Sequence, residues 1–329
     1  MNDHRPPGAD ANVYLWDRSG PVDEEIATLE QTLRPLRHRP RSPVRAPLAF
    51  ARTPPPAGPA LAAAAAVIIL ASVAAIVVNR SASPPPGWGV AAVYGAAVTR
   101  DGALVSGATL PVGGWLETGE DARVEVSVAD LGVVTVYERS RVSLAAATSE
   151  EQRLRLGHGR IEAFITAPPR LFFVETAAVV AVDLGCAYTL DADAEGNGTL
   201  AVTFGAVALE ANGLVSTVPA DGVCRVSADR GPGTPYFADC RPELEASLAA
   251  IDAGDHGHDT LDVVLDAARP RDTLTLWHLL FKVDEASRGR VFERMVALSG
   301  LPPGVTRDGV LRLHARMLDG WWSALERSW

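Results

Sequence analysis

From Trp88 to about Val226 the chain is written in short alternating runs. Arg123-Val124-Glu125-Val126-Ser127-Val128 alternates polar and apolar with period two, the pattern of a half-buried strand. Similar runs recur at 133–137, 141–144, 153–156, 160–165, 171–174, 179–182, 187–190, 199–204, 206–210 and 214–218, separated by glycine-bearing turns. Regular short strands with β-branched residues predict an all-β sandwich, roll or barrel over residues 88–230. Past Pro232-Gly233-Thr234-Pro235 the spacing turns helical. The sets Leu244, Leu248, Ile251 and Leu274, Trp277, Leu280, Phe281 recur at three and four residues. Helices are expected at 243–252, 260–268, 273–283, 289–298, 306–314 and 315–326, an all-α region over residues 240–329.

Two further patterns precede the alternating region. Residues 60–78, ALAAAAAVIILASVAAIVV, hold one polar side chain, Ser72. A helix of about 20 apolar residues spans a bilayer core and pairs its own backbone, so a transmembrane helix is expected here. Upstream, Pro21 can open a helix behind Ser19 or Gly20, with acids at Asp23, Glu24 and Glu25 in its first turn. Ile26, Leu29, Leu33 and Leu36 then share one face. A lone amphipathic helix is marginal by itself. Segment 1–36, with Trp16, Ile26, Leu29 and Leu33 as contacts, therefore reads as a peptide that docks on a partner, or as a weakly ordered surface tail. Residues 37–59 form a Pro- and Arg-rich linker, and 79–87 a Pro-rich spacer.

Charge sets the topology. The net charge is −10, but residues 1–59 carry eight arginines against seven acids, which puts −11 on the remainder. Six arginines between Arg34 and Arg52 flank the apolar segment on its N-terminal side, whereas Arg80 and Arg100 follow it. Positive-inside bias then places the N-terminus in the cytoplasm of a bacterium and the C-terminus in the periplasm, across the inner membrane. An acidic body argues against a nucleic-acid partner. All three cysteines, Cys186, Cys224 and Cys240, fall on the outer side, where disulfides persist.

Several strings carry a family resemblance. Gly113-Gly114-Trp115-Leu116-Glu117-Thr118 opens the β region; Phe173-Val174-Glu175-Thr176, Val182-Asp183-Leu184-Gly185-Cys186-Ala187-Tyr188 and Val202-Thr203-Phe204-Gly205-Ala206-Val207 follow in order. Together they resemble the FecR family, single-pass regulators with a periplasmic β domain. Ala177 stands where the family pattern has proline, and Cys186 where it has threonine. The resemblance implies signal transduction, with sigma-factor regulation as one form of it. The cytoplasmic part is short for a full anti-sigma domain. Cys186, early in one predicted strand, and Cys224, in a later one just after Asp221-Gly222, are the favoured disulfide pair, with Cys224–Cys240 the alternative.

Catalytic chemistry is sparse. No GxSxG, GxxxxGK[ST] or HExxH string occurs, so neither an enzyme nor a cofactor is expected. Asp255-His256-Gly257-His258-Asp259 has ligand-type side chains but sits between two predicted helices, where turn polarity is ordinary. Asp191 to Gly198 has calcium-loop composition without the closing glutamate, and reads as a hairpin turn. Trp277, Trp321, Trp322 and Trp329 fill a small core or form a platform for a partner or glycan. The expected function is a membrane-anchored regulator with a cytoplasmic partner, or a tethered envelope module that binds an envelope protein or glycan without one.

Overall fold

The computed structural model describes residues 86–255 and 257–326. The chain divides between Arg80 and Ser81, and every described residue belongs to the second unit, Ser81–Trp329. The docking residues Trp16, Ile26, Leu29 and Leu33, the linker, the apolar segment 60–78, His256 and Trp329 lie outside the described residues. Among the described residues no helix is long and apolar enough to cross a membrane.

Strands fill the first part and helices the last. In chain order the first strands are β1 (Gly87–Tyr94), β2 (Ala97–Thr99), β3 (Gly102–Ala103), β4 (Thr109–Pro111), β5 (Trp115–Thr118), β6 (Arg123–Val128), β7 (Gly132–Val136) and β8 (Arg141–Ala147). Then come β9 (Gln152–Ile165), β10 (Phe172–Glu175), β11 (Val180–Asp183), β12 (Ala187–Ala192), β13 (Gly198–Phe204) and β14 (Ala206–Ala211). The last are β15 (Leu214–Pro219), β16 (Gly222–Ser227), β17 (Gly231–Pro232) and β18 (Tyr236–Phe237). One sheet runs β4, β1, β6, β7, β9, β12, β13, β16, with β17 and β18 beyond. The other runs β3, β2, β5, β8, β9, β10, β11, β14, β15. Among these pairings only β9 with β10 is parallel.

The strand β9 belongs to both sheets, which corrects the expectation of two strands at 153–156 and 160–165. Its first half pairs with β8 and its second with β7 and β12. The change of sheet happens at Gly157-His158-Gly159. Gly159 has φ +100°, and a Cβ there would lie 2.1 Å from Ser140 Oγ, so a side chain cannot be accommodated at the bend. The family-like strings prove architectural in the same way. Thr118 is buried, accepts a hydrogen bond from Ser140 N at 2.9 Å and donates to Tyr137 O. Gly205 turns β13 into β14 at φ +73°, where a Cβ would meet Gly185 O at 2.2 Å.

Alternation delivers the core. Val124, Val126 and Val128 from β6 meet Leu154, Leu156, Phe172, Tyr188 and Leu200 between the sheets. Each such buried side chain contributes about 1.5–3 kcal/mol. Trp88 stacks on Phe172 at 6.0 Å and donates its indole N–H to Gln152 Oε1 at 2.7 Å, so the polar end of this buried ring is met.

The helices are α1 (Pro242–Asp252), α2 (His258–Ala267), α3 (Thr273–Leu279), α4 (Glu285–Ser299), α5 (Arg307–Leu311) and α6 (Ala315–Leu325). The helix expected from 289 begins at Glu285, because the Asp284 carboxylate caps Ser287 N at 2.8 Å. A second core gathers Leu244, Leu248, Val264, Leu276, Phe292 and Trp321, with Tyr236 of β18 and Val223 of β16 packed into it. The strands thus extend through Phe237, beyond the expected limit of 230.

The disulfide expectation is corrected: all three cysteines are free thiols. Leu190, Leu200 and Cys224 lie in one row across β12, β13 and β16, while Cys186 sits four residues from Leu190 along the chain. Strand spacing and rise separate the two Cα atoms by about 16 Å, against a disulfide limit of about 7 Å. The Cys186 thiol donates to Asp183 Oδ2 at 2.6 Å, and Cys224 donates to Gly233 O at 3.4 Å. Cys224 points into the sheet core and Cys240 packs against the helical core, so the alternative pair is also absent.

Candidate functional site at the sheet–helix junction

The strand β15 ends one sheet, and an edge strand leaves backbone groups without a ladder partner. Here α3 covers it. Thr217 N donates to His278 Nε2 at 3.1 Å, and His278 Nδ1 donates to Leu274 O at 2.9 Å, one turn back in the same helix. One ring nitrogen accepts and the other donates, which is the pattern of a neutral imidazole. Burial drives the His278 pKa down to about 4; the Leu274 carbonyl opposes that shift, the Lys282 charge adds to it and the Asp252 charge resists it.

Asp252, the last residue of α1, ties the same junction together. It accepts from Thr234 N at 2.7 Å, Thr234 Oγ1 at 2.8 Å and Lys282 Nζ at 2.8 Å. Lys282, the one lysine of the chain, also donates to Pro232 O at 3.2 Å. Nearby, Glu245 accepts from Arg225 Nη2 at 2.5 Å and from Tyr236 Oη at 3.0 Å. These pairs join the 222–237 strands to α1 and to the turn after α3. Both Lys282 and Asp252 are largely buried, so removing either leaves the other without its partner.

Beside this network opens a cleft of about 670 Å³, lined by Leu214, Arg225, Arg230, Asp252, Phe281 and Lys282 among others. Its floor is the junction itself, and three cations reach it. Arg230 Nη1 is committed to Asp252 O at 3.1 Å. Its cations are engaged within the junction, Arg225 with Glu245 and Lys282 with Asp252, and Leu214 and Phe281 add exposed apolar surface beside them. Among the described residues no group of three His, Cys, Asp or Glu side chains could hold a metal ion.

The other sequence candidates resolve individually. Asp255 accepts from Gly257 N at 2.9 Å and Thr260 Oγ1 at 2.7 Å, tying down the turn before α2. The Asp191–Gly198 stretch is the β12–β13 hairpin: Asp193 Oδ1 accepts from Gly196 N and Asn197 N, both at 2.8 Å. Trp321 is buried edge-on to Phe292 at 5.4 Å, whereas Trp277 packs between Phe281 and Trp322 at 4.7 and 4.6 Å, next to His278. Sequence reasoning missed His278 and Asp252 as a site. The available signal was a histidine inside the apolar run Leu274 to Phe281, with the lone lysine directly after it.

A surface feature was invisible before register was known. Val133 pairs with Phe164, Phe164 with Ala187, and Ala187 with Phe204, which aligns one row across β7, β9, β12 and β13. Phe164 and Phe204 are 58% and 68% exposed on the outer face, an arrangement that water disfavours.

Comparison with known proteins follows this geometry. Residues 115–208 match the family model described as FecR protein. The match starts at β5 and ends in β14, leaving the junction and the helices outside it. Two crystal structures of a candidate anti-sigma factor from Parabacteroides distasonis are similar at 16% identity and a TM-score of 0.34. The alignment covers 41% of this chain and 63% or 64% of theirs, less than two thirds of their length. No curated protein matches the chain.

Proposed function

We propose that this chain is a FecR-type regulator anchored in the bacterial inner membrane by residues 60–78. Its outer β domain and helical region receive an extracytoplasmic signal, and its cytoplasmic segment holds a sigma factor or another cytoplasmic protein through Trp16, Ile26, Leu29 and Leu33. The FecR match over residues 115–208 carries this reading. The position of the cleft supports it. A ligand bound against Asp252 and Lys282 touches the groups that hold the helices on the sheet, so occupancy and docking are linked free energies. The role is regulatory and not enzymatic.

The test is capture from membranes by the full chain, compared with a Trp16→Asp, Leu29→Asp variant. Retention of a sigma factor or other cytoplasmic protein by the parent, lost in the variant, is expected. No cytoplasmic protein above background would overturn the regulator and leave a tethered envelope module. Protease access decides topology: digestion of the helical region from the cytoplasmic side alone would overturn the orientation.

A further inference from the structure

We infer that the outer face of β12, between Phe164 and Phe204, is a binding groove for a neutral saccharide. Phe164 of β9 and Phe204 of β13 flank Ala187 from its two sides. The rings therefore rise from positions two strand spacings apart, about 10 Å, with one methyl group as the floor between them. Among the described residues neither ring has an aromatic or cationic side chain against it. The backbone holds Phe204 outward. Leu200 and Val202 face the core, and strict alternation would send Phe204 after them. A bulge intervenes: Ala187 pairs with Phe204 and Tyr188 with Val202, which leaves Thr203 as the extra residue. Thr203 Oγ1 donates to Ala187 O at 3.0 Å and pins the irregularity. Bulges re-aim side chains, and this one puts in water a ring that regular pairing would bury.

Walls and floor select the occupant. Two aromatic walls at this spacing leave room for a single ring at van der Waals contact, about 3.5–4.0 Å, on each side. Farther along β12 the groove turns polar. Thr189 lies between Glu162 and Ala201. Glu162 Oε2 accepts from the Tyr137 hydroxyl at 2.6 Å, and Arg160 Nε donates to Asp191 Oδ1 at 2.6 Å. Charge excludes ions of both signs. The guanidinium is already paired and Glu162 repels an anion, while Arg160, two residues from Glu162 on the same face, opposes a second cation. A saccharide meets both ends of the groove. Its C–H faces pack on the rings, and its hydroxyls supply the donors that Glu162 and Thr189 can accept. It would bind whether or not residues 1–36 hold a partner.

The test is isothermal titration of the full chain, in a sugar-free zwitterionic detergent, with cellohexaose, maltohexaose and chitohexaose. At least one is expected to bind. Phe164→Ser and Phe204→Ser should each weaken it about tenfold or more, the loss of one ring contact. Glu162→Gln should weaken it severalfold, and Leu301→Ser, at an exposed position of the helical region, should leave it unchanged. Both phenylalanines point outward, so the variants keep the parent's far-ultraviolet circular dichroism. No binding of any of the three would overturn the proposal. Affinity unchanged in both phenylalanine variants would overturn the groove as the site. Hexalysine bound in place of the sugars would assign the face to a basic peptide. A concentration-dependent dimer that both variants dissolve, without saccharide binding, would assign it to a second copy of the chain. Either result overturns the saccharide.

Discussion

His278 fixes the junction only while it is neutral, because its Nε2 must accept from Thr217 N. Acidification therefore works against the docked helices. In the unfolded chain a histidine titrates near 6.5, and in the folded protein burial holds His278 near 4. Between those values the unfolded chain binds more protons, so stability is whole above about pH 6.5 and is lost as pH falls toward 4. The slope approaches 1.4 kcal/mol per pH unit, and the loss between pH 7 and pH 5 comes to about 2 kcal/mol. The assay is urea unfolding of the full chain in mild detergent, followed by tryptophan fluorescence. Trp277 and Trp322 lie 5.1 and 5.9 Å from the His278 ring and report its surroundings. The comparison is with His278→Gln, measured at each pH. Other groups titrate too; Asp183, whose carboxyl burial pushes up, acts with the opposite sign. It is common to both proteins and cancels in the difference. The parent should lose about 2 kcal/mol more than the variant over this range. Equal pH dependence would refute the buried, neutral imidazole.

Asp252→Ala strips Thr234 and Lys282 of their acceptor and strands a largely buried ammonium, so the helical region should lose about 3–5 kcal/mol by chemical denaturation. Gly159→Ala places a Cβ against Ser140 at a positive φ; the melting temperature should fall by an amount matching about 2 kcal/mol or more, and an unchanged melt would show that the bend tolerates a side chain. Phe204→Ser removes an outward ring, so stability should stay within about 0.5 kcal/mol of the parent. Alkylation without reductant should find three reactive thiols in denaturant, but in the native protein Cys186 and Cys224 should be silent and Cys240 slow; a single reactive thiol in denaturant would restore a disulfide.

Much of the architecture could be read locally. The alternation at Arg123–Val128 shows which face is buried because successive strand side chains point to opposite sides, and that geometry needs no partner. The helical spacing of Leu244, Leu248 and Ile251 does the same for α1. The ordered strings around Trp115, Tyr188 and Gly205 were enough for the family resemblance, and the structure assigns them to bends and buried hydroxyl contacts. The limits of local reading appear at β9, where a glycine pair reads as a break between two strands. Only the pairing of its two halves with β8 and with β7 and β12 reveals one strand passing between two sheets.

Spacing along the chain set the order of elements and the faces that must be buried, and composition set the acidic charge of the residues after 59. Tertiary structure alone decided which faces meet. The separation of Cys186 from Cys224 follows from register across β12, β13 and β16. The row of Val133, Phe164 and Phe204 exists because strands distant in sequence align. His278 and Asp252 became a site because α3 and α1 close over the edge of β15 and the strands beside it. Period and propensity act over a few residues, whereas register and docking are settled by the closure of long loops and by the partners that buried polar groups then find.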